Sequence, residues 1–388
     1  MEHVFNGIDV WLNHDIPFWK GRWGLATNNA ACTKDGQLVR TALLQAEANI
    51  ICLFSPEHGI TAMGADGAAQ ADGRDTKTGI PIRSLYGNQL LADLSELDGV
   101  IFDLPDIGLR FYTYIWTLSY LMEACAKANK RLIILDRVNP LSGCFDLVEG
   151  PYLDESLSSF IGRWRLPIRH SLTVGELAQY WKYERSFDTL PLEIVSCKNW
   201  KRNQFLQDTD LPFIRSSPGI NHPDTLLLYP ALCFLEGVNV NEGRGTPYPF
   251  RQFGAPWLDN STLADFQALF NAHNVSFIPT EYVPVSGRYS GRRCNGFKLS
   301  VNDVHNFRPV AFGLHLIRLL FITHSSLVKL TAYPTWANPS GARHLLHLIG
   351  DLRIFESLVQ LPNGDFEPKD DLACPRWEEK VAPFLLYK

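Results

Sequence analysis

Short apolar runs alternate with stretches of helical spacing through the first half of the chain. The apolar runs are "RWGLATN", "NIICLF", "DGVIFDL", "KRLIILD" and "PLEIVSC", and between them lie helical stretches such as "QLVRTALLQAEA" and "IWTLSYLMEACAKAN". Another helical stretch, "TVGELAQYWKYER", opens with a capping box from Thr173 to Glu176. Short apolar strands that alternate with helices are typical of a parallel sheet covered on both faces. The pattern therefore predicts an α/β fold with a doubly wound, Rossmann-like sheet.

The pattern changes after about Pro230. The segment "EGVNVNEGRGTPYPFRQFGAPW" is rich in glycine and proline and predicts an ordered loop. A helical stretch, an extended stretch and the helical "PVAFGLHLIRLLFITHSS" follow, and after them a loose tail. We expect a Rossmann-like N-terminal domain over residues 1–229 and a smaller α+β C-terminal domain over residues 230–388, with a ligand cleft between them.

Composition and charge exclude several classes of protein. The 388 residues are 46% hydrophobic and 20% charged with a net charge of -5, so nothing indicates a nucleic-acid partner. No apolar run approaches the about 18–20 residues of a membrane span, and the N-terminus has no signal-peptide pattern. The eight cysteines lack any C-x-x-C pair and are typical of reduced thiols. We therefore expect a cytoplasmic protein with no membrane partner.

Polar side chains gather where three of the predicted strands end, in "SPEHG", "DLPDIGLRFYTY" and "LDRVNPLSG". Ligands of open α/β sheets bind just beyond the carboxyl ends of the strands, so these residues are candidates for a binding site. They are Glu57 and His58; Asp103, Asp106, Arg110, Tyr112 and Tyr114; and Asp136, Arg137 and Asn139.

Several of these residues allow two interpretations. Glu57 follows a proline and precedes Gly59 by two positions, so it is either a general acid with a raised pKa or a capping or ion-paired glutamate. Asp106 and Arg110 either serve a ligand or form a structural ion pair. Glu242 and Arg244, in "NEGRGTPYPF", lie either on a loop that approaches a ligand or on a tight turn between domains.

Familiar cofactor motifs are missing from the chain. There is no G-x-G-x-x-G, no G-x-x-x-x-G-K-[ST], no H-E-x-x-H and no G-x-S-x-G. His344 and His347 share one helical face in "HLLH", but no third ligand is evident nearby, so they are expected to be ordinary helix residues. We expect neither a nucleotide cofactor nor a metal.

Seven long motifs resemble the NamZ-type exo-β-N-acetylmuramidases, a family once known only as a domain of unknown function. The motifs are "FSPEHGI", "DLPDIGLRFYTYIWTL", "LDRVNPLSG", "VEGPYLD", "RHSLTVGELAQYW", "LLYPALCFLEGVNVNEGRGTPYPFRQFGAPW" and "FRPVAFGLHLI", in the family's order. The resemblance spans roughly Val4 to Leu320. It implies a Rossmann-like domain, a smaller second domain and a cleft between them that releases N-acetylmuramic acid (MurNAc) from non-reducing ends of peptidoglycan fragments.

The resemblance also implies roles for single residues. It assigns Glu57 as the acidic catalyst and Glu242 as its catalytic partner. It implies substrate binding by a further set, namely His58, Asp106, Arg110, Tyr112, Asn139 and Arg244. Pro105, where the family usually has glutamine, and the segment around His222 depart from the family pattern and bear on substrate specificity.

Three functions compete at this point. The first is hydrolysis of MurNAc-GlcNAc during cell-wall turnover, the second is a binding protein for muropeptides or sugar acids without catalysis, and the third is a nucleotide-dependent enzyme, which the missing glycine motif disfavours. The lactyl carboxylate of MurNAc calls for an arginine. We expect Arg244 to read it, because Arg110 has Asp106 one helical turn before it. The sequence leaves retention or inversion of configuration open.

Overall fold

The computed structural model describes residues 2–13, 20–86, 93–258, 263–359 and 368–388. Within these ranges, a seven-stranded sheet forms the centre of the first half, in the order β3-β4-β2-β1-β5-β6-β7. The strands are β1 (Trp23–Ala26), β2 (Ile50–Ser55), β3 (Gly73–Arg74), β4 (Pro81–Ser84), β5 (Gly99–Phe102), β6 (Arg131–Leu135) and β7 (Leu192–Val195). Neighbours pair in parallel, except that β3 runs antiparallel to β4 at one edge.

Helices cover both faces of this sheet. They are α1 (Gly7–Asn13), α2 (Val39–Gln45), α3 (Tyr114–Ala128) and α4 (Val174–Glu184). Side chains of α1 and α2 join one apolar cluster with Leu25 and Ile101, whereas α3 and α4 join another with Val100 and Phe102. Successive residues of β5 therefore point to opposite, equally apolar faces, which is why the strand reads as a continuous apolar run.

The strand order reverses direction at β1, which has β2 on one side and β5 on the other. This is the arrangement of a doubly wound sheet, and its ligand crevice lies beyond the carboxyl ends of the strands that flank the reversal. The predicted α/β, Rossmann-like fold class is confirmed. The predicted capping box is confirmed as well, because the Thr173 hydroxyl accepts from Glu176 N–H while the Glu176 carboxylate accepts from Thr173 N–H.

The second half contains a three-stranded antiparallel sheet in the order β8-β10-β9. Its elements are α5 (Pro223–Leu232), β8 (Gln252–Ala255), α6 (Leu263–Ala272), β9 (Val275–Tyr282), β10 (Cys294–Val301) and α7 (Pro309–Thr323). Phenylalanines form its core: the rings of Phe266 and Phe297 lie 5.1 Å apart, and that of Phe270 lies 5.4 Å from Phe297. Each such aromatic pair stabilises the fold by about 0.5–1.5 kcal/mol beyond the contribution of its buried area.

The expected loose tail is wrong. The described residues beyond α7 form α8 (His344–Ile349), α9 (Leu352–Val359), α10 (Pro368–Asp371) and α11 (Trp377–Val381). These helices are short, so their apolar spacing is hard to recognise in the sequence. They are nonetheless fixed by burial, because Ile354, Leu358 and Trp377 are almost completely enclosed. The indole N–H of Trp377 also donates to the His170 carbonyl, which brings the C-terminus back to the first half.

A buried aspartate anchors this return. Asp136, directly after β6, accepts hydrogen bonds from the Thr173 hydroxyl, the Gly175 N–H and the Tyr387 hydroxyl. The Tyr387 hydroxyl in turn accepts from the Cys197 N–H at 2.8 Å. One tyrosine therefore ties the chain end to the ends of two strands of the central sheet.

The division at 229/230 falls inside α5 and stays a prediction. One apolar cluster runs without a break from the α3 and α4 face of the large sheet into the second half. Across the described ranges, the helices are all too short or too polar to cross a bilayer.

We expect Tyr387→Phe to lower the free energy of unfolding by about 1–3 kcal/mol, because the buried Asp136 carboxylate and the Cys197 N–H each lose a partner. Urea denaturation measures this. Tyr183→Phe is the matched control, since Tyr183 is 71% exposed. Equal stability of the two variants would contradict the anchoring role.

Candidate active site

The loop that follows β2 holds Glu57 in an unusual backbone conformation. Pro56 restricts the backbone before it, and the two residues after it both have positive φ, 65° at His58 and 68° at Gly59. The left-handed conformation costs a non-glycine residue roughly 1–2 kcal/mol. Two hydrogen bonds offset this cost: the His58 Nδ1 lies 2.9 Å from the Gly64 carbonyl oxygen, and the Gly64 N–H donates to the His58 carbonyl at 3.0 Å. The loop thus fixes the direction of the Glu57 side chain.

The Glu57 carboxyl group is 7% exposed and is hydrogen-bonded at both oxygens. Its Oε1 accepts from the Gly67 N–H at 3.0 Å, and its Oε2 accepts from the Thr113 hydroxyl at 2.8 Å. Burial raises the pKa of Glu57, and the negative charge of Asp66 raises it too, against the lowering effects of His58 and of the two hydrogen bonds. Glu57 therefore keeps its proton to higher pH than an ordinary glutamate, as a general acid requires.

A glycine is required where the backbone donates to Glu57. Gly67 has a φ of +65°, and a Cβ atom there would lie 2.7 Å from the Cγ2 of Thr335. Both the left-handed backbone and the close approach of Thr335 exclude a larger residue. The hydrogen bond to Glu57 thus depends on a segment in the second half of the chain.

Arg244 connects the two halves of the chain by ion pairs. Its guanidinium lies 3.2 Å from the Asp66 carboxylate, which comes from the first half. It also lies 2.6 Å from Glu236 and 3.0 Å from Glu242, both from the second half. Glu236 in turn pairs with His344 at 2.9 Å. The cationic side chain is therefore already neutralised by several carboxylates.

The Asp66 carboxylate is stabilised in its ionised form. Burial works to raise its pKa, but the charge of Arg244, that of His58 and a hydrogen bond from the Tyr333 hydroxyl together hold the pKa of Asp66 below its usual range. Its neighbour Glu57 has a raised pKa. When the pKa values of two neighbouring carboxyl groups are shifted in opposite directions, one group can act as a proton donor while the other stays ionised.

Glu57, His58 and Asp66 each bring one ligand atom within 4.8 Å of the others, a geometry that could hold a metal ion. Each of these side chains already has a partner in the protein. Glu57 accepts hydrogen bonds from the Thr113 hydroxyl and the Gly67 N–H, His58 contacts the Gly64 carbonyl, and Asp66 pairs with Arg244. The expectation of no metal stays a prediction.

A cavity of about 1030 Å³ lies between the sheet edge and the second half of the chain. Glu57, His58 and Asp66 line it from the first half. Residues 244–250, residues 280–283 and Tyr333 line it from the second. A smaller cavity of about 70 Å³ adjoins it at Glu57 and Asp66, and Tyr86 and Phe160 enclose that space. The aromatic lining suits a partly apolar ligand such as a sugar ring, whose C–H groups can pack on aromatic faces.

The structure brings four of the sequence-predicted residues to the cavity, namely Glu57, His58, Tyr112 and Arg244. Tyr112 also anchors the opposite wall, because its hydroxyl donates to the Ser216 hydroxyl at 2.8 Å. Glu242 does not line the cavity and instead contacts Arg244.

The other three lie outside this cavity. Arg110 is fully buried and donates to four main-chain carbonyls, those of Pro151, Leu166, Leu348 and Ile349. Burial lowers the pKa of Arg110 to about 9. The Asp106 carboxylate accepts from the Gly108 N–H and lies 3.6 Å from the Nε2 of His170. The Asn139 carboxamide bonds to the backbone at Leu141 and Leu172.

The structure corrects the reasoning about the two arginines. The ion pair considered for Asp106 and Arg110 is not formed, because the chain after Asp106 turns at Gly108 and the Arg110 side chain enters the core instead. Arg244, expected to have fewer partners, has three carboxylates. Of these two arginines, the one that forms ion pairs with described residues is therefore Arg244 and not Arg110.

Sequence reasoning missed four residues of the site, namely Asp66, Tyr86, Arg215 and Tyr333. Asp66 had a usable signal, since it lies in the glycine-rich "GADG" shortly after "SPEHG". Tyr86 and Tyr333 lie in stretches without a motif. Burial and the neighbouring Glu57 raise the pKa of Tyr86. Only the fold brings the two tyrosines to Glu57.

We expect Arg244→Gln to raise the pKa of Asp66, because the variant removes the positive charge that lowers it most. Carbon-detected NMR titration of aspartate carboxyl groups measures this pKa. Arg293→Ala, which removes a 74% exposed arginine, is the control. An unchanged pKa of Asp66 in Arg244→Gln would show that the ion pair contributes nothing to ionisation.

Comparison with known protein families covers nearly the whole chain. Residues 23–224 match the family described as exo-beta-N-acetylmuramidase NamZ, N-terminal, and residues 227–387 match its C-terminal counterpart. A protein of Bacillus subtilis (strain 168), named peptidoglycan beta-N-acetylmuramidase NamZ, is 36% identical over 322 residues. The match covers 82% of this chain and 77% of that protein.

Two solved structures share the fold, both of them DUF1343 family proteins from Bacteroides fragilis NCTC 9343. One is 26% identical with a TM-score of 0.86, and the other is 25% identical with a TM-score of 0.74. Each match covers 100% of this chain and 99% of the other. Together with the two matched domains, these likenesses show that the chain belongs to the NamZ family of exo-β-N-acetylmuramidases.

Proposed function

We propose that this protein is a glycoside hydrolase that releases MurNAc from the non-reducing end of peptidoglycan fragments such as MurNAc-GlcNAc. Membership of the NamZ family supports the activity. The observation that carries the proposal is the pair formed by Glu57, whose pKa is raised, and Asp66, whose pKa is lowered, at one large cavity.

In this mechanism Glu57 donates its proton to the glycosidic oxygen as the bond to the anomeric carbon breaks, and the leaving sugar departs as a neutral alcohol. Positive charge develops at the anomeric carbon, and the ionised Asp66 stabilises it. Water then supplies the hydroxyl group of the released MurNAc and returns a proton to Glu57. The reaction consumes one water for each bond and needs no cofactor.

The remaining site residues support this pair in the proposal. His58 and Arg244 set the charge state of Asp66, and Glu242 holds Arg244 in position. Asp106, Arg110 and Asn139 act from outside the cavity by fixing the backbone of the loops that border it. Glu242 was expected to be catalytic, and its contact with Arg244 favours a positioning role instead.

The small space beside Glu57 supports exo action. An enzyme that removes one terminal sugar needs a site that ends beyond that sugar. At Glu57 and Asp66 the large cavity adjoins a much smaller space of about 70 Å³, which Tyr86 and Phe160 also line. We therefore propose that the terminal MurNAc occupies the part of the large cavity next to Glu57, with this small space beyond it, and that the rest of the fragment extends along the remainder of the large cavity.

We propose a cytoplasmic role in recycling imported muropeptide sugars. All eight cysteines are free thiols, which supports a reducing compartment. The substrate in this role is a soluble fragment rather than the intact wall.

We expect Glu57→Gln to lower turnover of MurNAc-GlcNAc by about 10²–10⁴-fold, because the sugar leaving group needs a proton. The loss should be smaller with p-nitrophenyl β-MurNAc, because nitrophenolate departs without protonation. Released sugar and nitrophenolate measure the two rates. Equal losses on both substrates would remove Glu57 from the role of general acid.

Glu242→Gln is the matched comparison for this experiment. A carboxylate that only positions Arg244 should cost less activity than Glu57, and its loss should not depend on the leaving group. If Glu242→Gln reproduced the Glu57→Gln pattern, Glu242 would belong to the catalytic pair. Binding of the disaccharide by the wild-type protein without any turnover would favour the sugar-binding protein instead.

We expect hydrolysis with retention of the β configuration. One ligand atom of Glu57 and one of Asp66 lie within 4.8 Å of each other, which is short of the about 6.5–9.5 Å between carboxyl groups that leaves room for water in inverting enzymes. Proton NMR of the first product formed distinguishes β- from α-MurNAc before the anomers equilibrate. Initial formation of α-MurNAc would exclude Asp66 as the partner of Glu57.

A further inference from the structure

Two of the described residues that line the large cavity are arginines, Arg215 and Arg244. They differ in their hydrogen-bond and ion-pair partners. Arg244 is paired with Asp66, Glu236 and Glu242. An anion that approached Arg244 would meet the repulsion of these carboxylates and compete with them for its N–H groups.

Arg215 carries its charge without a carboxylate partner in the described part of the chain. Its Nε donates to the Ser217 carbonyl at 3.1 Å and its Nη2 to the Pro218 carbonyl at 2.8 Å. These bonds hold the guanidinium in place but leave its charge unneutralised. Nη1 and the second hydrogen of Nη2 form the edge that can grip both oxygens of a carboxylate.

The backbone that carries Arg215 is fixed to the catalytic side of the cavity. The next residue, Ser216, accepts from the Tyr112 hydroxyl at its own hydroxyl and from the Tyr114 hydroxyl at its carbonyl. Both tyrosines are buried and follow β5. Asn221 lines the same wall, and its Oδ1 has no hydrogen-bond partner among the described residues. The wall is therefore rigid, positively charged and able to form further hydrogen bonds.

We propose that Arg215 is the specificity residue that binds the lactyl carboxylate of MurNAc, an inference that rests on the proposed function. MurNAc differs from N-acetylglucosamine by a lactyl ether that ends in this carboxylate. A bidentate contact with a guanidinium recognises both the charge and the planar geometry of the group. Arg244, the arginine first expected in this role, keeps the task of holding Asp66 ionised.

The test compares substrates that differ only in this charge, p-nitrophenyl β-MurNAc and its lactyl methyl ester. The readout is the ratio of kcat/KM for the acid to kcat/KM for the ester. We expect the wild-type protein to prefer the acid and Arg215→Ala to lower this ratio about tenfold, since the contact is charge-assisted but solvent-exposed. Arg215→Lys should give an intermediate ratio because it keeps the charge and loses the fork. Arg292→Ala, an exposed arginine outside the cavity, is the control and should keep the wild-type ratio.

A binding measurement separates this inference from the proposed function. Calorimetry compares MurNAc with its methyl ester as ligands of Glu57→Gln and of Glu57→Gln/Arg215→Ala. Loss of the preference for the acid in the double variant supports the role of Arg215 even if the wild-type protein hydrolyses neither glycoside, a result that would overturn only the proposed hydrolysis. An unchanged acid-to-ester ratio in Arg215→Ala, or no preference for the acid in the wild-type protein, would overturn the role of Arg215 while leaving hydrolysis in place.

Discussion

The ion pairs of Arg244 determine the chemistry of the whole site. Removing a charged group from water costs several kcal/mol unless partners compensate it, and Arg244 and its carboxylates, which are partly removed from water, offset this cost for one another. Asp66 comes from the loop after β2, whereas Glu236 and Glu242 come from the second half of the chain. Packing of the second half against the sheet edge therefore keeps Asp66 ionised. The ionised Asp66 then raises the pKa of Glu57, so that the charge state of one carboxyl group depends on the fold of both halves.

The loop after β2 converts this electrostatic arrangement into a fixed geometry. A parallel strand buried on both faces ends at the sheet edge, where the chain must turn away without free backbone groups. Here it turns through His58 and Gly59 in the left-handed region, and the hydrogen bonds between His58 and Gly64 stabilise that turn. The same loop supplies the Gly67 N–H that holds Glu57. The glycine-rich sequence of this loop suggests flexibility, but its hydrogen bonds hold the proposed acid, Glu57, in a fixed position.

The sequence predicted the elements whose burial is regular and missed those that long-range contacts create. The central strands and α4 with its capping box are readable because local spacing reports which face is buried. Glu57 is readable because strand ends of an α/β sheet point to the ligand crevice. In contrast, the hydroxyl of Tyr333 reaches Asp66 across 267 positions of the chain, and no local pattern encodes such a contact.

The direction of a side chain beyond a strand end was the main source of error. Arg110 and Tyr112 are two positions apart in one polar motif, yet Arg110 enters the core and Tyr112 faces the cavity. The motif is therefore a mixture of ligand-facing and structural residues. A buried arginine that satisfies four carbonyls fixes loop geometry as firmly as an ion pair, and sequence patterns do not distinguish the two.

The two cavity arginines show why a single cation would not suffice for a substrate that is itself an anion. In the proposed mechanism, bond cleavage needs a protonated Glu57 beside an ionised Asp66, and keeping Asp66 ionised occupies Arg244. A substrate carboxylate drawn to the same guanidinium would displace Asp66 and add a third negative charge beside the acid. A separate cation elsewhere on the cavity lining avoids this conflict. Arg215, held by carbonyls, meets that requirement because no carboxylate among the described residues pairs with it.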